Sequence, residues 1–365
     1  MCETTLEIHL PNLRHNYQFL RKQLAPDTKL LAVVKAFAYG SDAIAVAQCL
    51  AEQGVDYFGV AYVHEGVQLR KAGITKPILV LHPQAPNLKT LIEYKLELGL
   101  YSQRIFDAFL TALKQIKHEH YPIHLKFNTG LNRLGFLPEQ VTELVSQVKQ
   151  NSKQLQLKGV YSHLAASDDL KEDAFTKEQL SKFATIAAQI KTTYPKALFH
   201  LLNTSGVMHY SSAQYDMVRT GISLYGYGNA PEVDRALKPV LTLKTVISQI
   251  HFLTKGASLG YNRAFVASRA TRTATLPIGH ADGIGRIFGN GKGFVWIHGH
   301  KAPLLGNVCM DMIMVDVTDI DCQEGDEVLV IGADASAESL ANAVGTISYE
   351  LITGLSQRIQ RRIID

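Results

Sequence analysis

Cysteine is scarce in this chain: four in 365 residues, at positions 2, 49, 309 and 322, with no CxxC pair. That spacing excludes a zinc ribbon and a disulfide scaffold, and makes a reducing compartment the expected setting. Charge is sparse as well, 19% of residues with a formal net of +4. So small an excess argues against nucleic-acid binding as the main task and leaves room for an anionic small molecule. Long apolar runs are missing. The most apolar stretch, LLAVVKAFAYG, holds a lysine at its centre and is too short to span a bilayer. The opening MCETTLEIHL has two early glutamates and no apolar core of a signal peptide, so a cytoplasmic protein is expected. No repeat of fixed period and no low-complexity segment is found.

The chain does have apolar residues, 46% of the total, enough for a sizeable core. Its length suits two ordinary domains, or an α/β barrel of about 250 residues with a smaller partner. Short apolar runs alternate with amphipathic ones through LLAVVK (30–35), YFGVA (57–61), PILVLH (77–82), LELGLY (96–101), IHLKFN (123–128), LKGVYSHL (157–164), LFHLLN (198–203) and DMVRTG (216–221). The runs are continuously apolar, as parallel strands buried on both faces should be. Eight such units in roughly 200 residues predict a (β/α)8 TIM barrel before an open doubly wound sheet, although periodicity does not show closure. After NAPEVDRALKP (229–239) the runs become β-rich and are separated by Gly- and Asp-rich turns, with one helix over SAESLANAV. The expected fold is therefore α/β, with an N-terminal TIM barrel over residues 1–235 and a C-terminal mostly β domain over 236–365. Residues 1–10 are expected to form a strand that joins the β domain.

Active sites of such barrels lie at the C-terminal ends of the strands. Lys35, Lys126, His163, Asn203 and Arg219 all fall there, so hydrogen-bonding and cationic groups converge on one mouth. Lys35 has two readings. Desolvation would lower its pKa and make it a nucleophilic amine, or it snorkels out of the barrel end as a structural residue. NTSG (203–206) and TGIS (220–223) are small, polar segments after the last two strands, where barrels bind phosphate through backbone N–H groups. With a cationic mouth they favour a phosphorylated ligand. GNGKG (289–293) lacks nucleotide-loop spacing and reads as a hairpin turn. The close histidine pairs in HEH (118–120) and HGH (298–300) read as solvent-exposed, and Asp168 and Asp169 as a helix start, so no metal is expected.

Lys35 in AVVKAFAYG, followed in order by KFNTGLNRLGF, MVRTGISLYG, SLGYNRAF and NVCMDM, resembles the alanine racemases. The likeness runs from TTLEIHLPNLRHNY near the start to TISYELITGLSQRI near the end. It implies pyridoxal 5′-phosphate as cofactor, an N-terminal barrel with a C-terminal β domain, and a homodimer acting on a small amino acid. By the same resemblance Lys35 is joined to the cofactor and serves as one of two bases. Tyr261 is the opposite base, entering from the second subunit. Tyr39, Tyr349, Thr204 and the backbones of Gly221 and Ile222 hold the phosphate. His163 lies against the pyridine ring, Asn203 is near the phosphate side, and Arg219 donates to the ring nitrogen. Arg133 and the Met310 backbone meet the substrate carboxylate, with Asp311 beside them. Lys126 matches a lysine that is carbamylated in some relatives. The implied activity is interconversion of L- and D-alanine, supplying D-alanine for peptidoglycan.

The chain departs from the family pattern at Phe37, at Ser41-Asp42, at Asn128 in place of a common Asp, and at Thr204 in place of a common Ser. Thr204 keeps the hydroxyl. Three other readings stand beside the first. One is a racemase for serine or a basic amino acid. A second is a decarboxylase using the same cofactor, disfavoured because only Cys309 is near the presumed site and no GGG run exists. The third is a non-catalytic cofactor-binding barrel, against which the additional β domain argues.

Overall fold

The computed structural model describes residues 3–228 and 231–365. Strand β1 (Thr5–His9) leads into a helix over Leu10–Lys22, and eight parallel strands then close a barrel: β2 (Lys29–Val33), β3 (Tyr57–Val60), β4 (Ile78–Val80), β5 (Glu97–Leu100), β6 (Tyr121–Lys126), β7 (Leu155–Tyr161), β8 (Leu198–His200) and β9 (Met217–Thr220). Closure is direct, since β9 pairs with β2 in a register that sets Arg219 opposite Leu31. Every apolar run singled out above supplies one strand, and the alternative of an open sheet falls away. The strands are short because burial on both faces restricts them to the apolar stretch: every residue of β3, β4, β5 and β9 is buried.

The remaining strands are β10 (Leu241–Val246), β11 (Gln249–Leu253), β12 (Ser258–Leu259), β13 (Phe265–Val266), β14 (Thr271–Leu276), β15 (Phe294–Ile297), β16 (His300–Leu305), β17 (Ile313–Asp316), β18 (Glu327–Ile331) and β19 (Gln360–Ile364). Nine strands form one sheet in the order β11-β14-β17-β16-β15-β18-β10-β1-β19, and β12 and β13 pair separately. In that sheet β1 lies between β10 and β19, with Leu6 and Ile8 fully buried. The chain's first strand is thus stitched into the β part before the barrel begins. GNGKG does form the expected tight turn, with Asn290 and Gly291 at φ 57° and 80° and the Lys292 N–H returning to the Gly289 carbonyl, but it precedes β15 and joins no two strands of the sheet. The hairpin between β15 and β16 turns instead at His298 and Gly299, both at positive φ (48° and 80°), as a two-residue turn matching strand twist demands. Among the described residues no helix is long and apolar enough to cross a membrane.

The two parts meet at the barrel mouth. Ala36, Phe37, Ala38 and Tyr39 form a left-handed turn, with φ between 51° and 55°. Each such L-residue costs roughly 1–2 kcal/mol relative to the right-handed form, so neighbouring contacts must hold the turn. Gly40 ends it at φ 82°, and a Cβ there would lie 1.9 Å from the Ile352 carbonyl oxygen. Arg361 donates to the carbonyls of Gly40 and Ser41 at 3.0 and 3.2 Å. Asp42 then caps the helix Ala43–Glu52, accepting from the N–H groups of Ile44 and Ala45. The unusual Ser41-Asp42 pair therefore restarts the chain in a helix. Gly40→Ala is expected to destabilise the protein by roughly 3 kcal/mol, because a backbone clash and a disfavoured φ coincide. Urea unfolding checks this, and an unshifted midpoint would contradict the close packing of residues 348–353 on the turn.

Candidate active site at the barrel mouth

A cavity of about 660 Å³ opens at the C-terminal ends of the strands. Lys35, Tyr39, Lys126, Arg133, His163, Asn203, Thr204, Arg219, Gly221, Ile222 and Tyr349, all singled out from sequence, line it together. Lys35 stands two residues beyond β2, at the entry to the left-handed turn. Burial, reinforced by the Arg133 charge, pushes its pKa below the usual lysine value, while Glu65 opposes the shift. A snorkelling lysine would keep its amine in water, so the structure favours the reactive reading.

Glu65 itself was not legible in the sequence. Its carboxylate accepts from the N–H of Ala36 at 2.7 Å, Ala61 at 2.7 Å and Tyr62 at 3.0 Å. It thereby ties the residue after Lys35 to the start of the helix Val63–Lys71. The only hint was a glutamate in a first helical turn, a common feature with no functional signature.

One end of the cavity is a cup. The Tyr39 ring stacks on Tyr225 at 4.6 Å between centroids and lies 6.1 Å from the Tyr349 ring. The Tyr225 hydroxyl donates to the Val33 carbonyl, anchoring the stack to β2. Gly221 is required here, since a Cβ would lie 2.2 Å from the Tyr39 hydroxyl. The Gly221 N–H donates to Thr204 Oγ1 at 3.3 Å, and Asn203 Oδ1 accepts from the Gly206 N–H and the Ser167 hydroxyl.

Deeper in, Arg219 is buried and donates to the Ser162, His200 and Leu201 carbonyls, to His200 Nδ1 at 3.0 Å and to His163 Nδ1 at 3.2 Å. Burial lowers its pKa to about 10, which leaves it charged at neutral pH. Burial and the charges of Arg219, Arg133, Lys126 and Lys35 hold His163 far below the usual imidazole value, hence neutral. Burial and the same cluster push Lys126 down to about 8. Four cationic side chains thus line the cavity, and among the described residues no carboxylate does. No group of His, Cys, Asp or Glu able to hold a metal is found among the described residues.

Two of the departures acquire a place. Asn128 Oδ1 accepts from the N–H groups of Gly130 and Asn132, pinning the loop that carries Arg133. Phe37 is half-exposed and lines a separate surface groove, away from the cavity. Within one chain Tyr261, Met310 and Asp311 do not reach the cavity. Tyr261 sits between β12 and β13 and is 70% exposed, and Met310 is 59% exposed. Asp311 is paired with Arg358 at 2.8 Å, and Arg358 also grips Asp282.

A phosphorylated pyridine aldehyde fits these residues: a desolvated amine, hydroxyls and a backbone N–H around a cup that a single Cβ would fill, a neutral imidazole, and a guanidinium that only donates. Fold and cavity together define a barrel enzyme that works through such a cofactor. The comparisons narrow the class. The family model for the alanine racemase N-terminal domain matches residues 8–229 and that for the C-terminal domain residues 240–363. Alanine racemases of Carboxydothermus hydrogenoformans and Geobacter sp. are each 36% identical, covering 97% and 99% of this chain and 98% of each relative. Among solved structures, alanine racemase of Clostridium difficile superposes with a TM-score of 0.93 at 33% identity, over 100% of this chain and 96% of that one. Alanine racemase of Bartonella henselae, solved with covalently bound pyridoxal phosphate, gives 0.91 at 30% identity with both chains fully covered. The chain belongs to the alanine racemase family.

Proposed function

We propose that the protein interconverts L-alanine and D-alanine with pyridoxal 5′-phosphate, as a cytoplasmic homodimer supplying D-alanine for peptidoglycan. The observation that carries this is the pairing of a part-buried, pKa-depressed Lys35 with a buried Arg219 in one cavity, on a chain similar over its whole length to alanine racemases. The division proposed is a cofactor-binding barrel over residues 1–235 and a β domain over 236–365 that brings Tyr349 to the mouth.

When bound, the cofactor withdraws electrons from the substrate α-carbon and makes its proton removable. Lys35 Nζ holds or returns that proton on one face. Tyr261 Oη serves the opposite face from the second subunit, which accounts for a tyrosine so exposed in the single chain. Tyr39, Tyr349, Thr204 and the N–H groups of Gly221 and Ile222 would hold the phosphate, with Asn203 shaping the cup. His163 would lie against the ring. Arg219 would donate to the ring nitrogen without surrendering its proton. Arg133 orients the substrate carboxylate, joined by the Met310 backbone of the second subunit with Asp311 beside it. The test is L-alanine in D2O with added cofactor. Loss of optical rotation together with α-deuterium uptake is expected, and unchanged rotation and no deuterium would overturn the reading. Faster turnover of serine or a basic amino acid than of alanine would move the substrate assignment.

Lys126 is proposed to carry a carbamate. The neutral amine, which a pKa of about 8 makes available near neutral pH, adds to the carbon of carbon dioxide and releases one proton to solvent, and the resulting anion offsets the neighbouring cations. A carbamate carbon signal is expected after incubation with ¹³C-bicarbonate and should be lost in Lys126→Ala. Its absence from the unsubstituted protein would contradict the assignment.

A further inference from the structure

The inside of a TIM barrel is ordinarily filled by branched apolar side chains. Here it holds a line of buried polar groups running from the mouth toward the opposite end. Arg219 Nη1 lies 3.0 Å from His200 Nδ1, His200 Nε2 lies 3.1 Å from His124 Nδ1, and His124 Nε2 lies 2.8 Å from Glu97 Oε2. Both imidazoles are fully buried, and Glu97, at the start of β5, is 8% exposed. Room has been made for the line: a Cβ on Gly159 would lie 2.2 Å from His124 Nδ1. The His200 ring also stacks on Tyr161 at 4.9 Å.

Donor and acceptor roles along the line follow from its two ends. A guanidinium only donates, so His200 Nδ1 accepts and its proton sits on Nε2. That N–H donates to His124 Nδ1, which places the His124 proton on Nε2. A carboxylate only accepts, and Glu97 receives this last N–H. The two ends demand the same pair of tautomers, so both rings are neutral and each bond in the line is satisfied. Arg219 has no carboxylate contact among the described residues, and Glu97 is the anion its hydrogen-bond chain reaches. Arg70 is close enough to feel Glu97, yet its guanidinium donates to the carbonyls of Ile74, Lys76, Tyr94 and Lys95. Tyr57 lies near Glu97, and burial together with that carboxylate raises the Tyr57 pKa.

We propose that Glu97 is a positioning residue for Arg219, acting through His124 and His200. Its negative charge polarises the two imidazoles in one direction and strengthens the acceptor that holds the guanidinium in place. This rests on the reading that Arg219 faces the cofactor ring. The test is ¹⁵N-histidine NMR on the protein with and without cofactor, combined with kinetics of Glu97→Gln, which removes the charge and keeps the shape. In the unsubstituted protein His124 and His200 are expected to be neutral and protonated on Nε2. In Glu97→Gln the His200 Nδ1 signal should move toward that of a ring accepting no hydrogen bond. There kcat should fall about tenfold with KM for L-alanine within about twofold, and Glu97→Asp should recover part of the loss. A His200 protonated on Nδ1, or on both nitrogens, overturns the proposal even if the variant fails to fold. So does a Glu97→Gln protein whose His200 signal is unmoved, whatever its kcat. An inactive unsubstituted protein with the stated tautomers would instead sink the racemase reading and leave the relay standing.

Discussion

Lys35→Ala is expected to lower racemisation by roughly four orders of magnitude, about 5 kcal/mol of barrier, because it removes both the proposed attachment point of the cofactor and one of the two proposed bases. The loss should be visible without turnover. Borohydride reduction should fix the cofactor's mass onto the unsubstituted chain and leave the variant unlabelled. The geometry explains why no other amine substitutes. Lys126 also lines the cavity with a lowered pKa, but it sits at the end of β6 over the Tyr161 ring, 5.8 Å from its centroid. Lys35 instead enters the left-handed turn whose next N–H is held by Glu65. A variant that retained more than a tenth of the activity would show that Lys35 is a structural residue of the barrel end.

Tyr261→Phe is expected to cost about a thousandfold in racemisation without disturbing the fold of the single chain, in which the side chain is 70% exposed. The signature is more specific than the loss. With Lys35 intact, α-deuterium should still enter one enantiomer of alanine with its rotation retained, because one face keeps its base. Exchange into both enantiomers at the original rate would mean that another group serves the second face.

The barrel was legible because parallel strands buried on both faces leave unbroken apolar runs, and eight of these in one stretch admit few other folds. The mouth was legible where chemistry falls at strand ends: Lys35, Lys126, Asn203 and Arg219 are all close to the last residue of a strand. Two features escaped. The left-handed turn at 36–39 leaves no pattern, since two alanines, a phenylalanine and a tyrosine have no preference for positive φ, and it is held by contacts from afar: residues 348–353, Glu65, Arg361 and the Tyr225 ring. The line from Arg219 to Glu97 was hidden for a different reason. His124 and Glu97 sit inside apolar strand runs, where a single polar residue looks like a tolerated exception until closure turns β5, β6 and β8 around one interior. Tyr261, Met310 and Asp311 came from family resemblance alone, and the single chain does not bring them to the cavity.

Each working site is proposed to draw Lys35 from one chain and Tyr261 from another. Co-expression of Lys35→Ala and Tyr261→Phe chains under separate tags, with isolation of all dimers, tests this directly. In a two-fold dimer half of the molecules are mixed and each holds one intact site, so activity should return to about a quarter of the unsubstituted level. Activity no higher than that of the two variants assayed alone would contradict a shared site.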